Sequence, residues 1–346
     1  MRCRRRLHKG QLKRGKMILL VIMFGLLLCL SFGYSAFSTN ISFNTKGNVY
    51  KVSDKCYMTK DNGDGSVTIT GYDKSCGNDV NIPSTIKGLI VSRAEKASFK
   101  NKGLTSITLP NTIKYIGTDA FTGNDLTEVE IPSSVTTIDN YAFRNMKIRK
   151  LILHDGVQYI GVDAFQGNDL TEINIPKSVT YLGGGSFAAN AVTGNDAFIY
   201  GRNADGSINY TVLNSYAGKD ATGTTIPDTV TVLGIEAYYT VKYLEIDIPS
   251  RIKIIPSLCF GDSHATKVTL HDGLEEIRGG AFINTAFSLI NIPSTVNFID
   301  KDAFTCPWCD DNSVALKKIN VNKKSGSLEG APWGAVNATV NWTGDN

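Results

Sequence analysis

From residue 82 onward the hydrophobic residues recur every 22 positions in two blocks of matched phase. Pairs that anchor the first block are Leu109-Pro110, Ile131-Pro132, Leu153-His154 and Ile175-Pro176; those of the second are Ile226-Pro227, Ile248-Pro249, Leu270-His271 and Ile292-Pro293. An earlier pair, Ile82-Pro83, stands 27 residues before Leu109. Four residues after the anchor come Ile113, Val135, Val157, Val179, Val230, Ile252, Leu274 and Val296, and twelve after it Phe121, Phe143, Phe165, Phe187, Tyr238, Phe260, Phe282 and Phe304. One 22-residue coil cannot enclose an apolar interior, whereas stacked coils share a continuous one, so the period predicts a solenoid.

Within each coil the segments LTEVEIP, LTEINIP and YLEIDIP alternate apolar and polar residues with period two, which predicts a strand sending one side inward, with proline placed where its missing N–H does least harm to a ladder. A second, shorter strand is expected at SVTTI, SVTYL and TVTVL, and the Asp-Ala-Phe stretch after it is open to a helical turn or irregular backbone. The period breaks between 188 and 225, where FIYGR and INYTVLN around Asn-Ala-Asp-Gly-Ser predict a hairpin inserted into the array. Either it is a binding element or a tolerated excursion.

The pattern L-x-x-I-x-I-P-x-x-V-x-x-I-x-x-x-A-F, seen at 126–143 as LTEVEIPSSVTTIDNYAF, resembles the BspA-like class of bacterial leucine-rich repeats. The likeness covers about residues 82–321; SVTITGYDKSCGNDVNIPSTIKG is similar to the opening of such arrays and GAPWGAVNATVNW at 330–342 to a closing segment. The resemblance implies a leucine-rich-repeat arc of stacked parallel strands, about ten coils of 22 residues, mostly strand and loop, on a surface-exposed protein used for adhesion or ligand binding. The expected organisation is a basic tail (1–16), a transmembrane signal anchor (17–37), a linker (38–48), an N-terminal β-hairpin cap (49–81), repeats (82–187), the hairpin insertion (188–225), repeats (226–321) and a C-terminal cap (322–346).

Charge bears on the first two of these. Eight of the 36 Lys and Arg fall in residues 1–16, which hold no acid, so the rest of the chain carries 28 basic residues against 32 acidic ones. With no basic face left to follow a phosphate backbone, nucleic acid is excluded as a partner. The 21 uncharged residues from Met17 to Phe37 reach about 30 Å as a helix, enough for a lipid bilayer, and the basic tail orients the remainder outward. Cleavage and secretion is the alternative, given the small residues Gly33, Ser35 and Ala36.

An oxidising exterior permits disulfides among the five cysteines beyond the anchor. Cys56 and Cys76 flank a turn-rich stretch and are expected to bond. Cys306-Pro307-Trp308-Cys309 is a C-x-x-C in a five-residue expansion of the last coil; a loop-closing disulfide is favoured over a redox pair, which needs a helix start after a strand, and over zinc, which needs more ligands. Cys259 falls in the slot held elsewhere by alanine and reads as a small buried residue. His154 and His271 occupy the proline phase in equivalent turns, a mark of duplication, while DNGDGS at 61–66 lacks the spacing of a calcium loop. No cofactor is expected.

Outward positions of the longer strand read Glu128 and Glu130, Lys150 and Ile152, Glu172 and Asn174, Glu245 and Asp247, Lys267 and Thr269, Leu289 and Asn291. This mixed, somewhat acidic face suits a protein or glycan ligand, although solvated charge on an unused sheet has the same composition. The leading expectation is therefore a binding or adhesion module without catalysis. An envelope thiol-disulfide oxidoreductase using Cys306 and Cys309, or a passive surface spacer, are the competing readings.

Overall fold

A computed structural model describes residues 41–43, 49–51, 54–243, 245–307 and 316–344. The chain divides into two compact units, Met1–Val52 and Ser53–Asn346. In the first, Ile41–Phe43 pairs antiparallel with Val49–Lys51, so part of the expected linker forms a strand. The segment 17–37 read as an anchor lies outside the described residues, and among those described no helix is long and apolar enough to cross a membrane.

The second unit is a β-solenoid of about twelve turns, two more than the 22-residue period implied. The surplus sits where caps were expected. Ser66–Tyr72, half of the N-terminal hairpin with Tyr57–Asp61, also pairs in parallel with Leu89–Ala94, and at the other end Thr339–Trp342 adds a parallel rung to Lys318–Val321. Short strands such as Tyr115–Ile116, Thr137–Ile138, Tyr159–Ile160 and Tyr181–Leu182 stack in one parallel ladder, and the longer ones pair coil by coil, Glu128–Ile131 with Lys150–Leu153 and Glu245–Ile248 with Lys267–Leu270.

The Asp-Ala-Phe stretch is a tight turn rather than a helical one, and the reason is a third ladder. N–H groups ten, twelve and fourteen residues after the anchor all donate to the next coil: Tyr141 to Val162 O, Phe143 to Ala164 O and Asn145 to Gln166 O, at 2.8–2.9 Å. A helical turn would direct those donors back along the chain. Aiming them sideways needs left-handed backbone at two of the three positions, as at Tyr141 (φ 60°) and Asn145 (φ 52°), or Leu258 (φ 58°) and Asp262 (φ 55°). Each non-glycine residue held there costs about 1 kcal/mol, which the ladder offsets by satisfying buried donors.

The aromatic core runs as two stacks. Phe99, Phe121, Phe143, Phe165 and Phe187 stack with centroids 5.0–5.3 Å apart and planes within 13°, and Tyr216, Tyr238, Phe260, Phe282 and Phe304 form the second at 5.3–5.8 Å. Tyr72 extends the first by one ring at the N-terminal end, 5.5 Å from Phe99, and Tyr57 packs against Tyr72. Beneath the first five rings runs a row of buried asparagines. Asn168 Nδ2 donates to Phe143 O and Phe165 O, while its Oδ1 accepts from Ile148 N–H; Asn124 and Asn190 bridge their own coils in the same way.

Tyr216 belongs to residues 188–225, which are themselves a distorted coil. Phe198–Arg202 and Ile208–Tyr216 form the expected antiparallel hairpin, but the second strand runs on into parallel pairing with Val232–Leu233. The hairpin folds back on the preceding coil: Arg202 Nη2 donates to Ile175 O at 3.3 Å, and a Cβ on Gly206 would stand 1.9 Å from Lys177 O. With that rung end occupied, residues 172–175 form no strand, so Glu172 and Asn174 are exposed loop residues and not ladder positions.

Candidate binding face

Parallel pairing sets the outward side chains of the longer strands in rows. Glu128 stands beside Lys150 and Glu130 beside Ile152; Glu245 beside Lys267 and Asp247 beside Thr269; Leu289, Lys318 and Thr339 form one row and Asn291, Asn320 and Asn341 the next. Rungs about 4.8 Å apart bring such neighbours within bonding reach. Lys267 Nζ meets Glu245 Oε2 at 3.0 Å, and Asn320 Nδ2 donates to Asn291 Oδ1 at 2.7 Å.

The two histidines join this face at its edge. His154 Nε2 lies 2.7 Å from Glu130 Oε1, and His271 Nε2 lies 2.7 Å from Asp247 Oδ1. A histidine in the proline phase thus reaches the acid of the preceding rung in each block, which gives the repeated Leu-His-Asp-Gly its physical content. Their partners are half or more exposed, and polar contacts at such surface sites contribute about 0–1 kcal/mol each. The face therefore carries ordered charge that a partner displaces at little cost.

Elsewhere the sequence candidates separate. Cys56 and Cys76 are joined by a disulfide with Cα atoms 5.9 Å apart. Cys306 is disulfide-bonded and Cys309 lies outside the described residues. Cys259 is fully buried, and burial raises its thiol pKa, the opposite of nucleophile activation. Among the described residues no group of three or more His, Cys, Asp or Glu is placed to hold a metal ion.

Sequence reasoning missed a buried acid pair. Asp163 (1% exposed) and Glu236 (8% exposed) sit at the left-handed position ten residues after their anchors and meet across Gly185. Coil 183–185 lies directly on coil 235–236 there; a Cβ on Gly184 would be 2.3 Å from Ile235 O, and one on Gly185 2.3 Å from Asp163 Oδ1. Burial first, then the hydrogen bond and charge of Glu236, push the Asp163 carboxyl far above the ordinary carboxylate range against the smaller opposing pull of Arg144, whose Nε is 3.8 Å away. The two acids share one buried joint. Its one sequence signal is acid in a slot whose next-coil neighbour is glycine.

A family model described as the BspA type leucine rich repeat region matches residues 92–195 and 211–328, with six copies of the repeat. No curated protein matches significantly. Among solved structures the chain is similar to a leucine-rich repeat protein of Bacteroides ovatus, with 21% identity and a TM-score of 0.43 over 89% of this chain and 67% of that one. It is also similar to a leucine rich cell surface protein of Faecalibacterium prausnitzii, at 19% identity and a TM-score of 0.47 over 84% and 94% of the two chains. The pneumococcal vaccine antigen PcpA matches at 14% identity and a TM-score of 0.48, over 83% and 96%.

Proposed function

This chain belongs to the BspA-type leucine-rich repeat family, and from that premise we propose that it is a cell-surface binding or adhesion module that takes a protein partner on the outward face of its longer strands. Residues 17–37 hold it in the membrane with the solenoid outside, and it performs no catalysis. The observation that carries this reading is the rows themselves: Glu128, Glu130, Glu245 and Asp247 are exposed, in register, and presented by backbone that the ladders hold rigid. Such a face offers preorganised charge, which favours specificity and association rate. A glycan is the second ligand class for the same face. The oxidoreductase reading gains no support, because Cys306 lies in a loop beside a repeat array.

Full-length protein displayed on cells, tested against arrayed extracellular proteins and neutral glycans, decides the matter. Reversing Glu128, Glu130, Glu245 and Asp247 to Lys is expected to abolish the protein signals of the parent. A parent without signals, or signals indifferent to the reversal, leaves a passive spacer.

A further inference from the structure

At the N-terminal end, where the hairpin Tyr57–Asp61 and Ser66–Tyr72 meets the short-strand ladder, the surface folds into a groove of about 890 Å³. That lies within the range of small-ligand clefts, about 300–1,000 Å³. Apart from Ser134, its lining comes from residues 60–118, ahead of the longer strands discussed above, and its chemistry differs. Lys60, Arg93, Lys96 and Lys114 line it against two acids, Asp64 and Glu95, in a chain that is mildly acidic beyond its tail. None of the four cations forms a salt bridge among the described residues. The Asp64 carboxylate is occupied, accepting from Ser66 N–H at 3.0 Å and Ser66 Oγ at 2.6 Å.

One of the cations is held in place. The Arg93 guanidinium lies 4.1 Å from the centre of the Tyr115 ring, and Tyr115 is fixed in turn by donating its hydroxyl to Asp139 Oδ2 at 2.6 Å. Stacking leaves the guanidinium edge, with its fork of donors, to face a ligand. The floor of the groove is a hydroxyl and amide network: Asn62 Nδ2 donates to Ser66 Oγ at 2.9 Å, Ser92 Oγ to Ser66 Oγ at 3.0 Å, and Thr68 Oγ1 to Asn62 Oδ1 at 2.9 Å. Ser134 Oγ on the wall is buried with no partner.

Under the groove Ser66–Tyr72 is paired on both sides, by Tyr57–Asp61 and Leu89–Ala94, and the latter is paired onward to Tyr115–Ile116, so the strands of its floor are closed to augmentation; the sheet ends at Tyr57–Asp61, of which only Lys60 reaches the groove. What remains is cations over a bed of hydroxyls and amides, the complement of a chain that carries anions and hydroxyls together. We propose that this groove binds an acidic polysaccharide, its carboxylate or sulfate groups taken by Lys60, Arg93, Lys96 and Lys114 and its hydroxyls by the Asn62, Ser66 and Ser92 network. The site is independent of the proposed protein-binding face.

Equilibrium binding of the full-length chain to polygalacturonate, dextran sulfate, neutral dextran and poly-glutamate tests it, the first two separating carboxylate from sulfate recognition. Binding of at least one acidic polysaccharide is expected, with neutral dextran unbound and poly-glutamate weaker. Changing Lys60, Arg93, Lys96 and Lys114 to Gln is expected to weaken it at least about tenfold. Because the eight basic residues of the tail attract polyanions too, a second variant with those changed to Gln is expected to retain the binding. If loss of Arg93 disturbs the stack on Tyr115, the exposed pair Lys96→Gln and Lys114→Gln is expected to weaken binding by itself. Parent-like affinity in the groove variants, loss in the tail variant, equal binding of dextran or poly-glutamate, or no binding at all overturns the proposal.

Discussion

The coils before Phe187 and those after Tyr216 keep the same 22-residue register, yet they are tied together differently. In the first block the position fifteen residues after the anchor holds Asn124, Asn168 and Asn190, each buried and bonded to the backbone of two coils, with Met146 the apolar exception. In the second block the same position holds Val241, Ser263 and Thr285; Thr285 bonds only its own coil, and Ser263 Oγ has no partner. Ring spacing widens in step, from 5.0–5.3 Å to 5.3–5.8 Å. The pitch of the solenoid is therefore set by the aromatic stacking and backbone ladders, which both blocks share. Side-chain amides add a second, local tie that only one block possesses.

The largest effect should come from what the blocks have in common. Phe143→Ala is expected to cost about 3–5 kcal/mol, and Phe260→Ala about the same, measured by chemical denaturation. A much smaller loss in the second block would mean that its looser stack is not bearing equal weight. The amide row is expected to divide the blocks. Asn168→Ala strands Phe143 O, Phe165 O and Ile148 N–H, at a cost of about 2–3 kcal/mol, and hydrogen exchange should speed up in coils 121–190 before coils 238–305. Ser263→Ala, at the same phase, removes an unpartnered hydroxyl and is expected to be neutral or stabilising by under about 1 kcal/mol. If the two substitutions cost alike, the distinction between the blocks fails.

The smallest effect concerns the joint. Asp163 has a folded pKa above its unfolded value, so the native chain binds more protons than the unfolded one, and stability falls as pH rises above the ordinary carboxylate range. Asp163→Asn keeps a hydrogen-bonding group toward Glu236 without the titration. The expected gain is on the order of 1 kcal/mol at pH 8, shrinking toward pH 4, read as a flatter pH profile of thermal unfolding. An unchanged slope would place the pH dependence elsewhere.

The aromatic stacking was legible because its signal repeats: Phe121, Phe143 and Phe165 share a phase, and one coil's burial predicts the next. The outward face was legible by position but not by pairing, since nothing in alternation alone says that His154 reaches back to Glu130. In residues 188–225 the hairpin was legible but its part in the array was not, because Leu213 and Tyr216 stand out of phase with the anchors while still filling the short-strand and aromatic slots. Glu172 and Asn174 kept a strand's alternation, yet Arg202 and Gly206 of the hairpin take the end of their rung. The amide row had a visible trace, Gly-Asn-Asp-Leu at 123–126 and again at 167–170. The groove had none, because its walls come from a hairpin and a ladder brought together only by folding.

The bond between Cys56 and Cys76 spans the two ends of the first hairpin. A pull entering the chain ahead of Cys56 therefore crosses the sulfur bridge and continues at Cys76, leaving strands Tyr57–Asp61 and Ser66–Tyr72 slack. Those strands form one wall of the basic groove, so such a pull passes around that wall and loads the coils behind it first.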